Sequence, residues 1–171
     1  MKRTNKILLV LAGLSIMLTS TLFAGSLHKG NVATSSFTLV DNHQYGDNYQ
    51  GAFDIFPKDY VAKKGDKIKI TLEGTIDKDV VYNKEQDKSL TILFVDGSSA
   101  ANWWLPLTGD YTYKEDLKAG GKIVIDYTFE VTTNGVSKAG SKGCMFVLGT
   151  SKDQKTPVVL KTTKFSYEII R

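Results

Sequence analysis

Residues 67–76, KIKITLEGTI, decide the fold. Ile68, Ile70 and Leu72 fall at every second position, with Lys67, Lys69, Thr71 and Glu73 between them. Successive side chains of a strand point to opposite faces, so this pattern buries one face and wets the other. The stretch 122–132, KIVIDYTFEVT, repeats the design. There Ile123, Ile125, Tyr127, Phe129 and Val131 alternate with Asp126, Thr128 and Glu130. A glycine turn leads into each: Lys64-Gly65-Asp66 and Ala119-Gly120-Gly121. Two copies are too few for a repeat array. Two half-buried strands reached through the same kind of turn predict a pair of packed antiparallel sheets.

Working outward, SLTILFV (89–95) and GCMFVLG (143–149) are apolar on both faces and read as central strands. Further runs rich in β-branched and aromatic residues lie at 35–41, 48–56, 102–107 and 158–170, the last with a candidate split at Lys161-Thr162. No segment after residue 30 keeps a helical period over three turns. The polar stretches 77–88, 108–121 and 133–142 read as loops, with room for one helical turn in 108–121. The expected fold is all-β: a two-sheet antiparallel β-sandwich of jelly-roll type with eight or nine strands.

The N-terminus carries the three parts of a secretory signal. Lys2, Arg3 and Lys6 are followed by an apolar run from Ile7 to Leu18 and by small residues up to Ala24-Gly25-Ser26. The run to Leu22 is shorter than the ~20 apolar residues of a spanning helix. No cysteine lies nearby to take a lipid. The expected organisation is therefore a signal peptide at 1–26 and one domain at 27–171. The expected location is the periplasm, cell surface or medium, with no membrane anchor after cleavage.

That division changes the charge argument. The whole chain is +4, from 22 basic and 18 acidic residues, but residues 1–26 hold three basic residues and no acidic one. The remainder, 19 against 18, is nearly neutral, which argues against nucleic acid as partner. Cys144 is the only cysteine, so no internal disulfide forms, and its apolar neighbours mark it as a core residue. With His28 and His43 the only imidazoles, a Cys/His zinc site is excluded by count.

No catalytic constellation emerges. Gly-x-Ser-x-Gly, the Walker loop and HExxH are absent. Asp126 and Glu130 share a strand face, but four residues of rise hold them about 13 Å apart, beyond the spacing of a glycosidase pair. Neither an enzyme nor a metal site is expected.

Binding features are easier to find. Trp103 and Trp104 are adjacent, so in a strand one enters the core and the other faces out. Tyr111 lies nearby, and Asn48 and Gln50 share the polar face of NYQGAFDIF. An outward aromatic stacks on the C–H face of a sugar while amides bond its hydroxyls. The bland alternative places both tryptophans in structural packing.

In its layout the chain resembles the jelly-roll carbohydrate-binding modules of the galactose-binding-like superfamily. The resemblance runs through NYQGAFDIF, KKGDKIKITLEGTIDKDV, SLTILFVDGSSAANWWLPL, KIVIDYTFEVT and LKTTKFSYEII. It implies a non-catalytic glycan-binding protein with ligand contacts among Asn48, Gln50, Trp103, Trp104 and Tyr111. It also implies a structural calcium, but Asp41 is the only early carboxylate in place by order and no Asp-rich loop appears, so no cofactor is expected. Such modules are often appended to glycosidases, and the expectation of a stand-alone module keeps a second reading open: an adhesin or envelope structural protein acting through protein contacts.

Overall fold

The computed structural model describes residues 25–33, 36–39, 52–53, 55–97, 105–136 and 143–171. Among these residues there is no helix. The strands in chain order are β1 (Ser26–Asn31), β2 (Ser36–Leu39), β3 (Ala52–Phe53), β4 (Lys67–Ile76), β5 (Leu90–Asp96), β6 (Leu105–Pro106), β7 (Tyr111–Tyr113), β8 (Lys122–Glu130), β9 (Cys144–Thr150) and β10 (Val158–Ile170).

All pairings are antiparallel and form two sheets. Sheet A runs β1-β10-β4-β8, with β2 continuing the β1 side of β10. Sheet B runs β3-β9-β5-β6, with β7 on the same side of β5 as β6. Counting β1/β2 and β6/β7 as shared positions, the ten segments fill eight places, ordered 1-8-3-6 and 2-7-4-5. That wrapping is the jelly roll.

Alternation builds the core as the sequence predicts. Ile68, Ile70 and Leu72 of β4 and Ile123, Ile125 and Phe129 of β8 are buried against sheet B. Phe94 sits at the centre, its ring 5.0 Å from Phe129, 5.3 Å from Phe146 and 5.3 Å from Phe56. The doubly apolar strands β5 and β9 are the two central strands of sheet B, buried along their whole length. The two glycine turns also hold: Gly65 (φ 95) and Gly120 (φ 74) take the left-handed conformation just before β4 and β8.

Two features differ from expectation. The stretch 108–121 holds no helical turn; it supplies the short strand β7 and a bridge from Leu117 to Val80. Second, β10 is one strand rather than two, with a bulge where the split was expected. Thr162 pairs with Gly74 and Lys164 with Glu73, so Thr163 is the extra residue. The bulge reverses the strand's phase. Val158 and Leu160 point inward before it, and Phe165 and Ile169 after it.

A buried ion pair fastens the end of β10 to the turn before β4. The Arg171 guanidinium donates through Nε to Asp66 Oδ1 and through Nη2 to Asp66 Oδ2, both at 2.8 Å. Asp66 is 2 % exposed and also accepts from the Tyr60 hydroxyl and the Lys63 N–H. Burial pushes the Asp66 carboxyl up, but the hydrogen bonds from Arg171, Lys63 and Tyr60 outweigh it, and its pKa falls below the ordinary 3.8. Burial and the neighbouring Cys144 and Asp66 push the Tyr60 phenol strongly up.

Arg171→Ala strands a buried carboxylate. Because 37 % of the arginine side chain meets solvent, the expected loss is ~2 kcal/mol rather than the full cost of breaking a buried pair. Thermal unfolding should show a Tm lower by roughly 5–10 °C. The folded carboxyl binds its proton more weakly than the unfolded one. Its contribution is therefore complete above the ordinary carboxylate pKa and is lost as pH falls through and below 3.8. Acid titration followed by circular dichroism should show this loss in the wild type and not in Asp66→Asn. Gly74→Ala is expected to destabilise by about 1–3 kcal/mol, since a Cβ there would lie 2.5 Å from the Lys161 carbonyl at the bulge. Urea denaturation measures it.

Candidate ligand-binding groove

The outward face of sheet A follows from the same alternation. It presents Lys67, Lys69, Thr71, Glu73 and Thr75 from β4, and Lys122, Val124, Asp126, Thr128 and Glu130 from β8. After the bulge, β10 adds Lys164, Ser166 and Glu168; before it, Lys161 lies opposite Thr75. Lys29 and Asn31 complete the face from β1. The pairings align these residues into rows across the strands. One row is Asn31-Ser166-Thr71-Asp126 and the next is Lys29-Glu168-Lys69-Thr128.

A groove of about 400 Å3 opens over these rows, lined by Lys29, Gly30, Asn31, Lys69, Thr71, Ser166, Tyr167 and Glu168. Gly30 has a structural reason. A Cβ there would lie 2.8 Å from Tyr167 Cε1, so the missing side chain lets the Tyr167 ring pass against β1. That ring packs edge-on against Phe56 at 4.9 Å, which anchors the groove to the core, and burial raises its phenol pKa.

The groove differs chemically from the polar loops elsewhere. Loop groups pair with one another: Lys118 with Asp79, Lys114 and Tyr82 with Asp87, Lys152 with Glu85, and Asn83 Nδ2 with Asp153 at 2.5 Å. These partners hold the Asp79, Glu85 and Asp87 carboxyls below their ordinary pKa values. The leading causes are the Ala119 N–H for Asp79, Lys152 for Glu85 and Lys114 for Asp87. In the groove, by contrast, the side chains of Lys29, Asn31, Thr71, Ser166 and Glu168 make no hydrogen bond or ion pair with described residues of the protein. Lys69 reaches Asp126 only at 3.8 Å, with both side chains largely exposed. Donors and acceptors therefore converge on one depression with their bonding capacity open to a ligand.

Tyr111 lies elsewhere. It sits on β7 at the open edge between the sheets, half-buried, its ring 5.7 Å from Tyr113 and 4.8 Å from Tyr127. This tyrosine seam closes the edge beside β8. The Tyr113 hydroxyl donates to the Val124 carbonyl at 2.7 Å, and the Thr108–Val131 bridge ties the far end. Burial and Tyr111 push the Tyr113 phenol up to about 12. Tyr127 remains 41 % exposed. The seam explains Tyr111 as packing and protects a strand edge.

The other four residues singled out by sequence, Asn48, Gln50, Trp103 and Trp104, lie outside the described residues, as does Asp41. The alternation of β4 already turned Lys69 and Thr71 outward. It could not place Ser166 and Glu168, because the bulge hides the phase of β10, nor Lys29 and Asn31, because β1 adjoins the signal-like segment. Among the described residues no group of three or more His, Cys, Asp or Glu is placed to hold a metal ion.

A scan against protein-family models finds no match to this chain, and a search of curated proteins finds no similar sequence.

Proposed function

We propose that this protein is an exported, non-catalytic domain that binds a carbohydrate in the groove on the outward face of sheet A. The observation that carries the reading is the convergence of unpaired amide, hydroxyl, ammonium and carboxylate groups on one depression in the sheet. A sugar presents donors and acceptors at close intervals around a ring. Asn31, Ser166 and Thr71 offer short groups at strand spacing, and Lys29, Lys69 and Glu168 offer longer ones at the walls. All six sit on strands of one sheet, so little side-chain scaffold must be ordered on binding. The three-part N-terminal signal supports export to where glycans are met.

The double variant Asn31→Ala/Ser166→Ala removes two floor contacts without touching the core. The wild-type protein is expected to bind a subset of a glycan array. The variant is expected to bind the same glycans at least roughly tenfold more weakly, as loss of one or two ligand hydrogen bonds implies, with unchanged Tm. A blank array combined with capture of a defined envelope protein through the same groove would replace this reading with the adhesin one.

A further inference from the structure

The charge on the groove's sheet face narrows the ligand class, provided the carbohydrate reading holds. Among the described residues this face carries six lysines, at 29, 67, 69, 122, 161 and 164, and four carboxylates, at 73, 126, 130 and 168. Residues 27–171 together are within one charge of neutral, so the excess of two is a local concentration. Lys122 and Lys164 both engage Glu73. Lys29 has no acidic partner among the described residues. Lys69 and Asp126, at 3.8 Å and exposed by 47 % and 62 %, form a surface pair of the kind that contributes little and exchanges readily. In their row Lys29 and Lys69 flank Glu168, one strand to either side, which sets their backbones about 10 Å apart across the groove.

We infer that the groove takes an acidic glycan of the uronic-acid class. Lys29 and Lys69 hold the sugar carboxylate, Asn31, Thr71 and Ser166 bond ring hydroxyls, and Glu168 accepts from a hydroxyl. Charge-assisted bonds to a carboxylate are about twice as strong as neutral ones, so the two ammonium groups set the preference. Glu168 between the lysines discriminates further. It accepts from the free hydroxyls that each uronate unit keeps beside its one carboxylate, whereas a DNA backbone has no hydroxyl to offer it.

The test is calorimetric titration of the purified protein with an oligogalacturonate, with a neutral cello-oligosaccharide of equal length and with an oligonucleotide, at low and at moderate salt. The oligogalacturonate should bind roughly tenfold or more tightly than the neutral sugar, with affinity falling as salt rises. Lys29→Ala and Lys69→Ala should each weaken oligogalacturonate binding roughly tenfold and neutral-sugar binding much less, erasing most of that preference. Lys152→Ala, in the distant loops, should change nothing. Equal or tighter binding of the neutral sugar overturns the acidic class and leaves the carbohydrate reading standing. Tighter binding of the oligonucleotide through the same lysines overturns the acidic class too. Binding of none of the three overturns the acidic class, and a blank glycan array beside it overturns the carbohydrate reading.

Discussion

One extra residue in β10 sets the geometry of sheet A. Strand side chains alternate strictly, so a strand with a single phase could not bury Val158 and Leu160 at one end and Phe165 and Ile169 at the other. Thr163 absorbs the mismatch as a bulge. Gly74, directly across from Thr162, gives the bulged backbone room to approach β4. With both halves of β10 buried correctly, the 13-residue strand can span the sheet, pairing with β1 and β2 on one side and β4 on the other. The same phase change turns Ser166 and Glu168 outward. Core and groove are therefore two faces of one register, and neither can slip without the other.

The rest of the fold secures that register from its ends. The Asp66–Arg171 pair fixes the end of β10 against the turn that starts β4, so the two strands enter their pairing at a defined position. The tyrosine seam and the Thr108–Val131 bridge hold sheet B against the free side of β8. Sheet B differs from sheet A in kind. Its outward Leu93, Val95, Met145 and Val147 are themselves buried, whereas the corresponding face of sheet A is polar and open. The asymmetry assigns the sheets different roles, one packed on both sides and one carrying an accessible polar surface.

The fold was largely legible in the sequence because β4 alternates throughout, β8 does so except at the half-exposed Tyr127, and β5 and β9 are predominantly apolar on both faces. Those signals depend only on which face of each strand meets water. The groove was half legible. Lys69 and Thr71 follow from β4's phase, but Ser166 and Glu168 depend on a bulge that reads in sequence only as a broken pattern, KTTK. Lys29 and Asn31 depend on a strand whose pairing with residues 166–170 is wholly non-local. Tyr111 was conspicuous by composition, but its neighbours across the sheet edge, Tyr113 and Tyr127, account for it as packing. Composition reports that an aromatic is present; what it faces is decided by strands far away in the chain.

The central claim is that the bulge-dependent outward face of sheet A is the binding surface. A 1H–15N correlation spectrum recorded during titration with oligogalacturonate tests it residue by residue. The account requires the largest shifts at 29–31, 69–71 and 166–168, on all three strands together. Shifts concentrated instead at the Tyr111–Tyr113 edge or in the 77–88 loop, with the groove silent, would contradict it.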